Sequence, residues 1–167
     1  MSDSSQPTGD YHPWTTYIHA REEARRRGDR KIGTEHLLLG LLAEDTLADT
    51  LEFDLPTARE ALEQMDREAL GAIGFGADFD VPAVPARPSA ELPKRPTLRE
   101  LLSHRLPLTP AAKAALRSSG RDMRRGRHIQ AREVLASLLE LESPDPGAQL
   151  LTRLGVNRAI VRKRLAG

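Results

Sequence analysis

The chain has 167 residues, 39% hydrophobic and 29% charged, which is apolar material for one ordinary core or two small halves of one. A formal charge of +1 gives no overall attraction to nucleic acid or an anionic membrane, and zero cysteines exclude disulfides, thiolate zinc sites and cysteine nucleophiles. No apolar run approaches the ~20 residues that span a bilayer, and the opening MSDSSQPTGDYHP lacks the order of a signal peptide, so the expectation is one soluble domain in the cytoplasm.

Residues 1–10 hold little to bury and are expected to be a mobile tail. TTYIHAREEARRRG then reads as a helix capped by Thr15 or Thr16, with Glu22 and Glu23 spaced for (i, i+4) pairing to Arg26 and Arg27 and with Gly28 as its stop. GTEHLLLGLLAE is a second helix, whose Leu37, Leu38, Leu41 and Leu42 form one apolar stripe. DTLADTLEF is a short third. DLPTAREALEQMDREALGAI is a longer fourth, with Asp54 as cap and Pro56 tolerated in the first turn. The segment 74–96, GFGADFDVPAVPARPSAELPKRP, has too many prolines for a regular element and is expected to be a linker.

The pattern then begins again. TLRELLSHRL is a short amphipathic helix, and LTPAAKAALRSSGRDMRRG opens with Thr109 as cap and Pro110 at the first helical position. A shift of 97 positions lays Ile129 on Ile32, Val134 on Leu37, Leu135 on Leu38, Leu138 on Leu41 and Leu139 on Leu42. A slightly larger shift lays Leu154 on Leu51, Val156 on Phe53, Asn157 on the cap Asp54 and Leu165 on Leu62, with SPDPG as a small insertion between helices. The economical account is an all-α fold of two diverged copies, about four helices each, over 11–73 and 97–167. Neither copy can bury its leucine stripe alone, so the halves are expected to pack around a pseudo-two-fold axis within one domain, 11–167.

AREEARRRGDRKIGTEHLLLGLL, followed by a degenerate copy beginning LTPAAKAALRSSGRDMRRGRHI, resembles the N-terminal domain of the Clp chaperones of the ClpA and ClpC type, from Thr15 to the C-terminus. The resemblance implies a double-repeat helical domain that receives substrates and adaptor proteins for a ring-shaped unfoldase. It also implies phosphoarginine recognition, as in ClpC-like members, and cyclic-peptide docking, as in actinobacterial relatives. No Gly-x-x-x-x-Gly-Lys-Ser/Thr string occurs, so a chain that is naturally this long is expected to be a free-standing receptor and not a motor.

Two readings stand for Gly33, Thr34, Glu35 and His36. As a helix start, Gly33 turns the chain, Thr34 caps and Glu35 meets the positive end of the helix dipole. As a ligand site, the free amides attract a phosphate while the Glu35 carboxylate accepts from a guanidinium, and phosphoarginine carries both groups. The resemblance implies that Glu35 takes the guanidinium side, with Thr34 beside it. In the second copy the four positions become Gln130, Ala131, Arg132 and Glu133. Arg132 opposes a guanidinium, Ala131 has no hydroxyl, and Glu133 lies ~100° around the helix from the position of Glu35, so at most one site survives.

The remaining constellations are weaker. His12, His19, His36, His104 and His128 show no metal-ligand spacing, and no nucleophile–base signature appears, so neither a metal, a cofactor nor an enzyme is expected. The arginines at 25, 26, 27, 117, 121, 124, 125 and 127 raise DNA binding as a hypothesis against the commoner solvated helix face. Trp14, Tyr17, Phe75 and Phe79 are candidate contacts for a peptide in an apolar groove between the repeats, or else core and linker anchors. The sequence reading is a non-catalytic module that captures peptides, adaptors or phosphoarginine-marked proteins in Clp-dependent proteolysis. Its alternatives are a cyclic-peptide or adaptor dock without phosphoarginine recognition and a helical DNA-binding regulator.

Overall fold

Leucine periodicity turns into burial in the computed structural model, which describes residues 13–44, 47–74, 106–119 and 130–166. The first half comprises α1 (Pro13–Arg27), α2 (Thr34–Leu42), α3 (Ala48–Leu51) and α4 (Leu55–Ala72). The second comprises α5 (Pro110–Ser119), α6 (Ala131–Leu139), α7 (Pro146–Arg153) and α8 (Arg158–Ala166). The described residues are otherwise irregular, apart from one isolated parallel bridge between Ile32 and Leu108. The expected tail, nearly all of the linker and nearly all of TLRELLSHRL lie outside the described residues.

Helices α2 and α6 are nine residues each and start 97 positions apart, as the leucine register requires. Leu37, Leu38 and Leu41 are fully buried in one, and Val134, Leu135 and Leu139 in the other. Each packs on the first helix of its own half, and the two pack on each other. Helix α2 also packs on α4, α5 and α7, and α6 on α7 and α8; two further contacts cross over, α3 with α8 and α4 with α7. With α3 equivalent to α7 and α4 to α8, these two contacts exchange under a two-fold rotation, so the pseudo-symmetry extends to the packing. Gly40 lets α2 close on α1, because a Cβ there would lie 2.7 Å from the Thr16 carbonyl oxygen.

Several local expectations need correction. Helix α1 begins at Pro13, not at a threonine cap; proline's fixed φ and missing N–H suit a first helical turn. Thr16 is buried and donates its hydroxyl proton to Glu44, 2.7 Å away. The glutamates of α1 do not form (i, i+4) pairs. Arg25 meets Glu22 at 3.9 Å and Arg26 meets Glu23 at 3.4 Å, both (i, i+3). The larger use of charge is to fasten α1 to α4, where Arg59 clasps the buried Glu23 with both Nε and a terminal nitrogen and Arg27 meets Asp66 at 2.7 Å. The caps fare better: Asp54 accepts from the Thr57 amide, Asn157 from the Ala159 and Ile160 amides, and Thr109 from the Ala112 amide.

Helix α6 ends in an unusual way. Arg158 donates to the carbonyls of Leu141 and Ala148, and Arg162 donates to the Leu139 carbonyl at 2.9 Å. Arg158 also reaches the Leu139 carbonyl at 3.5 Å, so both guanidiniums of α8 sit at the negative end of α6, and Arg158 ties it to Ala148 of α7.

Candidate functional site

The start of α2 is held by three different devices. Gly33, not Thr34, is the N-cap residue; Thr34 is the first residue with helical geometry, so its hydroxyl cannot cap its own helix. That hydroxyl crosses between the repeats. It donates to the Asp145 carboxylate at 2.7 Å and accepts from the Gly147 amide at 3.1 Å. Asp145 is itself the N-cap of α7, accepting from the Gly147 and Ala148 amides, so one buried threonine joins the starts of two helices. The approach needs glycine at 147, where a Cβ would lie 2.9 Å from the Thr34 Cβ. The segment SPDPG is therefore more than an insertion: Asp-Pro is the cap and first position of α7, a helix-start signature visible in the sequence.

His36 is the second device. Its imidazole is 1% exposed, Nδ1 lies 3.0 Å from the Gly33 amide, and Nε2 lies 3.0 Å from an Asp29 carboxylate oxygen. Asp29 also receives Arg27 Nε at 3.0 Å. The third device is Glu35. Its side chain, 14% exposed, folds back over the helix start, so that a Cβ on Gly33 would lie 2.3 Å from both carboxylate oxygens. One of those oxygens is 3.1 Å from His36 Nδ1. Burial pushes the Glu35 carboxyl up, but the adjoining His36, the Glu35 backbone amide and Arg27 outweigh it and hold the group below its ordinary value.

The four positions singled out in the sequence are thus contiguous but not equivalent. Thr34 and His36 are spent on internal bonds, and Glu35 is the one with a partly accessible charged group. Asp29, Arg27 and Asp145 complete the cluster and were not anticipated. In the second copy Ala131 is buried and Arg132 exposed, and Glu133 accepts from the Gln130 amide at 3.0 Å. Glu133 therefore does for α6 what His36 does for α2.

Other candidates separate from this cluster. Trp14 and Tyr17 stack with ring centroids 5.0 Å apart, and Tyr17 is buried with its hydroxyl donating to the Leu106 carbonyl at 3.2 Å. They pin α1 to the start of the second half and do not line the cleft between the repeats. Phe75 and Phe79 lie outside the described residues. The cleft itself, about 400 Å³ between α4 and α7, is lined by Met65, Glu68, Ser143, Gln149, Thr152 and Arg153. Arg153 bridges it to Glu68 at 3.0 Å. The cationic run of α1 is paired with Glu22, Glu23, Asp29, Glu63 and Asp66. Arg121, Arg124, Arg125 and Arg127 lie outside the described residues. Among the described residues no group of three His, Asp or Glu is placed to hold a metal ion, and no helix is long and apolar enough to cross a membrane.

A double helical repeat with a shared core and a charged helix start at the seam defines the class of domain. Comparison with known proteins gives its kinship. The chain is 28% identical over 153 residues to the chloroplastic chaperone protein ClpC of Pisum sativum, covering 87% of this chain and 13% of the relative. Its fold matches the crystal structure of the N-terminal domain of the caseinolytic protease-associated chaperone ClpD from Arabidopsis thaliana with a TM-score of 0.57 and 22% identity, over 92% of both chains. No family model matches. The chain therefore has the all-helical, double-repeat fold of a Clp N-terminal domain.

Proposed function

We propose that this domain is a non-catalytic receptor for proteins in Clp-dependent proteolysis, acting in the cytoplasm as an adaptor for, or competitor of, a ClpC-type unfoldase. Its ligand is a phosphoarginine-bearing segment, bound at the start of α2. The observation behind this reading is Glu35, a carboxylate held ionised on a helix start with its neighbours committed elsewhere. Helix-start amides favour phosphate, and a carboxylate favours guanidinium. A ligand with both groups replaces Glu35 over Gly33 with its phosphate and offers Glu35 a cation in exchange. Free phosphate alone meets a repelling carboxylate.

Calorimetric titration with phosphoarginine, with arginine and phosphate as separate controls, tests the reading. Saturable binding of the first alone is expected, with a clear loss in Glu35→Ala and an unchanged helical circular dichroism spectrum. Equal affinity in the variant removes Glu35 from the site. The cleft between α4 and α7 favours a second reading, docking of a cyclic peptide or adaptor without phosphoarginine recognition. Substitutions at Arg153 and Glu68 then weaken binding while Glu35→Ala does not.

A further inference from the structure

His36 Nδ1 faces two groups with opposite demands. The Gly33 amide at 3.0 Å needs a lone pair there, and the Glu35 carboxylate at 3.1 Å needs a proton. Nε2 faces only the Asp29 carboxylate, which fixes it as a donor in either state. We propose that His36 is a pH-operated switch at the start of α2, moving its Nδ1 from the Gly33 amide to the Glu35 carboxylate when it takes up a proton.

In the neutral ring, Nε2–H donates to Asp29 and Nδ1 accepts from Gly33, which leaves Glu35 opposite a lone pair and available to an outside cation. In the imidazolium both nitrogens donate, one to each carboxylate, and the Gly33 amide loses its acceptor. The charged surroundings are Arg27 and Asp29 from the end of α1 and its turn, Glu35 from α2 itself, Asp66 of α4 through Arg27, and Asp145 of α7 behind Thr34. The second repeat provides the contrast. Its equivalent position is Glu133, which caps Gln130 with a carboxylate oxygen where the first repeat uses an imidazole nitrogen.

Nuclear magnetic resonance of the full chain tests this directly. Ring-nitrogen correlations are followed from about pH 8 to 5 beside the backbone amides. The expected result is an Nε2–H tautomer at high pH, with the Gly33 amide proton moving upfield at the same midpoint as the His36 ring, while the Gln130 amide stays still. A Gly33 amide that ignores the His36 midpoint, or a ring that keeps one state across the range in the folded chain, overturns the proposal. A further consequence rests on the phosphoarginine reading: affinity for that probe falls severalfold as His36 protonates, and the difference disappears in His36→Gln. If neither chain binds the probe at any pH, the ligand reading fails, and the resonance data still decide the switch.

Discussion

Thr34 illustrates how a residue type can be read correctly as polar punctuation and wrongly in its role. A hydroxyl before a leucine run suggests a cap, yet the N-cap is Gly33 and the hydroxyl serves the start of another helix more than a hundred residues away. Local sequence cannot show a partner at that separation. Thr34→Val leaves the Gly147 amide and Asp145 without their buried partner, and we expect a loss of about 1–3 kcal/mol in urea unfolding, largely avoided in Thr34→Ser. Two glutamates carry opposite pH signatures. Glu35 is held below its ordinary value, so its contribution to stability is present above the unfolded-state value and is lost as pH falls through the folded-state one. Burial, only partly offset by the Thr16 hydroxyl, pushes Glu44 up, so its ionisation opposes folding at neutral pH and the penalty vanishes in acid. Glu44→Gln is therefore expected to raise the melting temperature at pH 7 and to have little effect near pH 4, as thermal melts at the two pH values would reveal.

Helix existence was legible because periodicity is a local property. The stripe of α2, its copy in α6, and the caps Asp54, Thr109 and Asn157 all follow from neighbours within four residues. What escaped is the use of charge between elements. Glu23 is buried and clasped by Arg59 of α4, a pairing that no spacing along α1 announces. Arg59→Met strands that carboxylate, and a destabilisation of about 3 kcal/mol is expected by denaturant unfolding. The double variant with Glu23→Leu should recover much of it, since an apolar pair can replace a buried ion pair. Likewise the C-terminal end of α6 is managed from outside: Arg158 and Arg162 of α8 both reach the Leu139 carbonyl. Loss of Arg158 should fray α6 from its C-terminus, read as faster amide exchange in the last turn.

Across the whole molecule, the crossed contacts of α3 with α8 and α4 with α7 leave no half able to unfold while the other stays buried. Trp14 sits in the first half and packs against the common core, so its fluorescence should follow a substitution in the second. Leu151→Ala, in α7, is expected to lower the midpoint seen by Trp14 and by far-UV circular dichroism equally, by an amount equivalent to about 2–5 kcal/mol. Separate transitions for the two probes would mean that the halves are independent folding units. The pairing of halves was foreseen from the repeated stripe; its polar seam was not, because each partner there looks like an ordinary surface residue in its own segment.

That seam is also one-sided. The hydroxyl that ties α2 to α7 has no counterpart in the second copy, where Ala131 stands at the same position. A chain assembled from two first halves would have two hydroxyls and no Asp145 to receive them, and one assembled from two second halves would have the aspartates and no hydroxyl. The first half carries the hydroxyl and the second the aspartate that receives it, so this seam closes only between unlike halves.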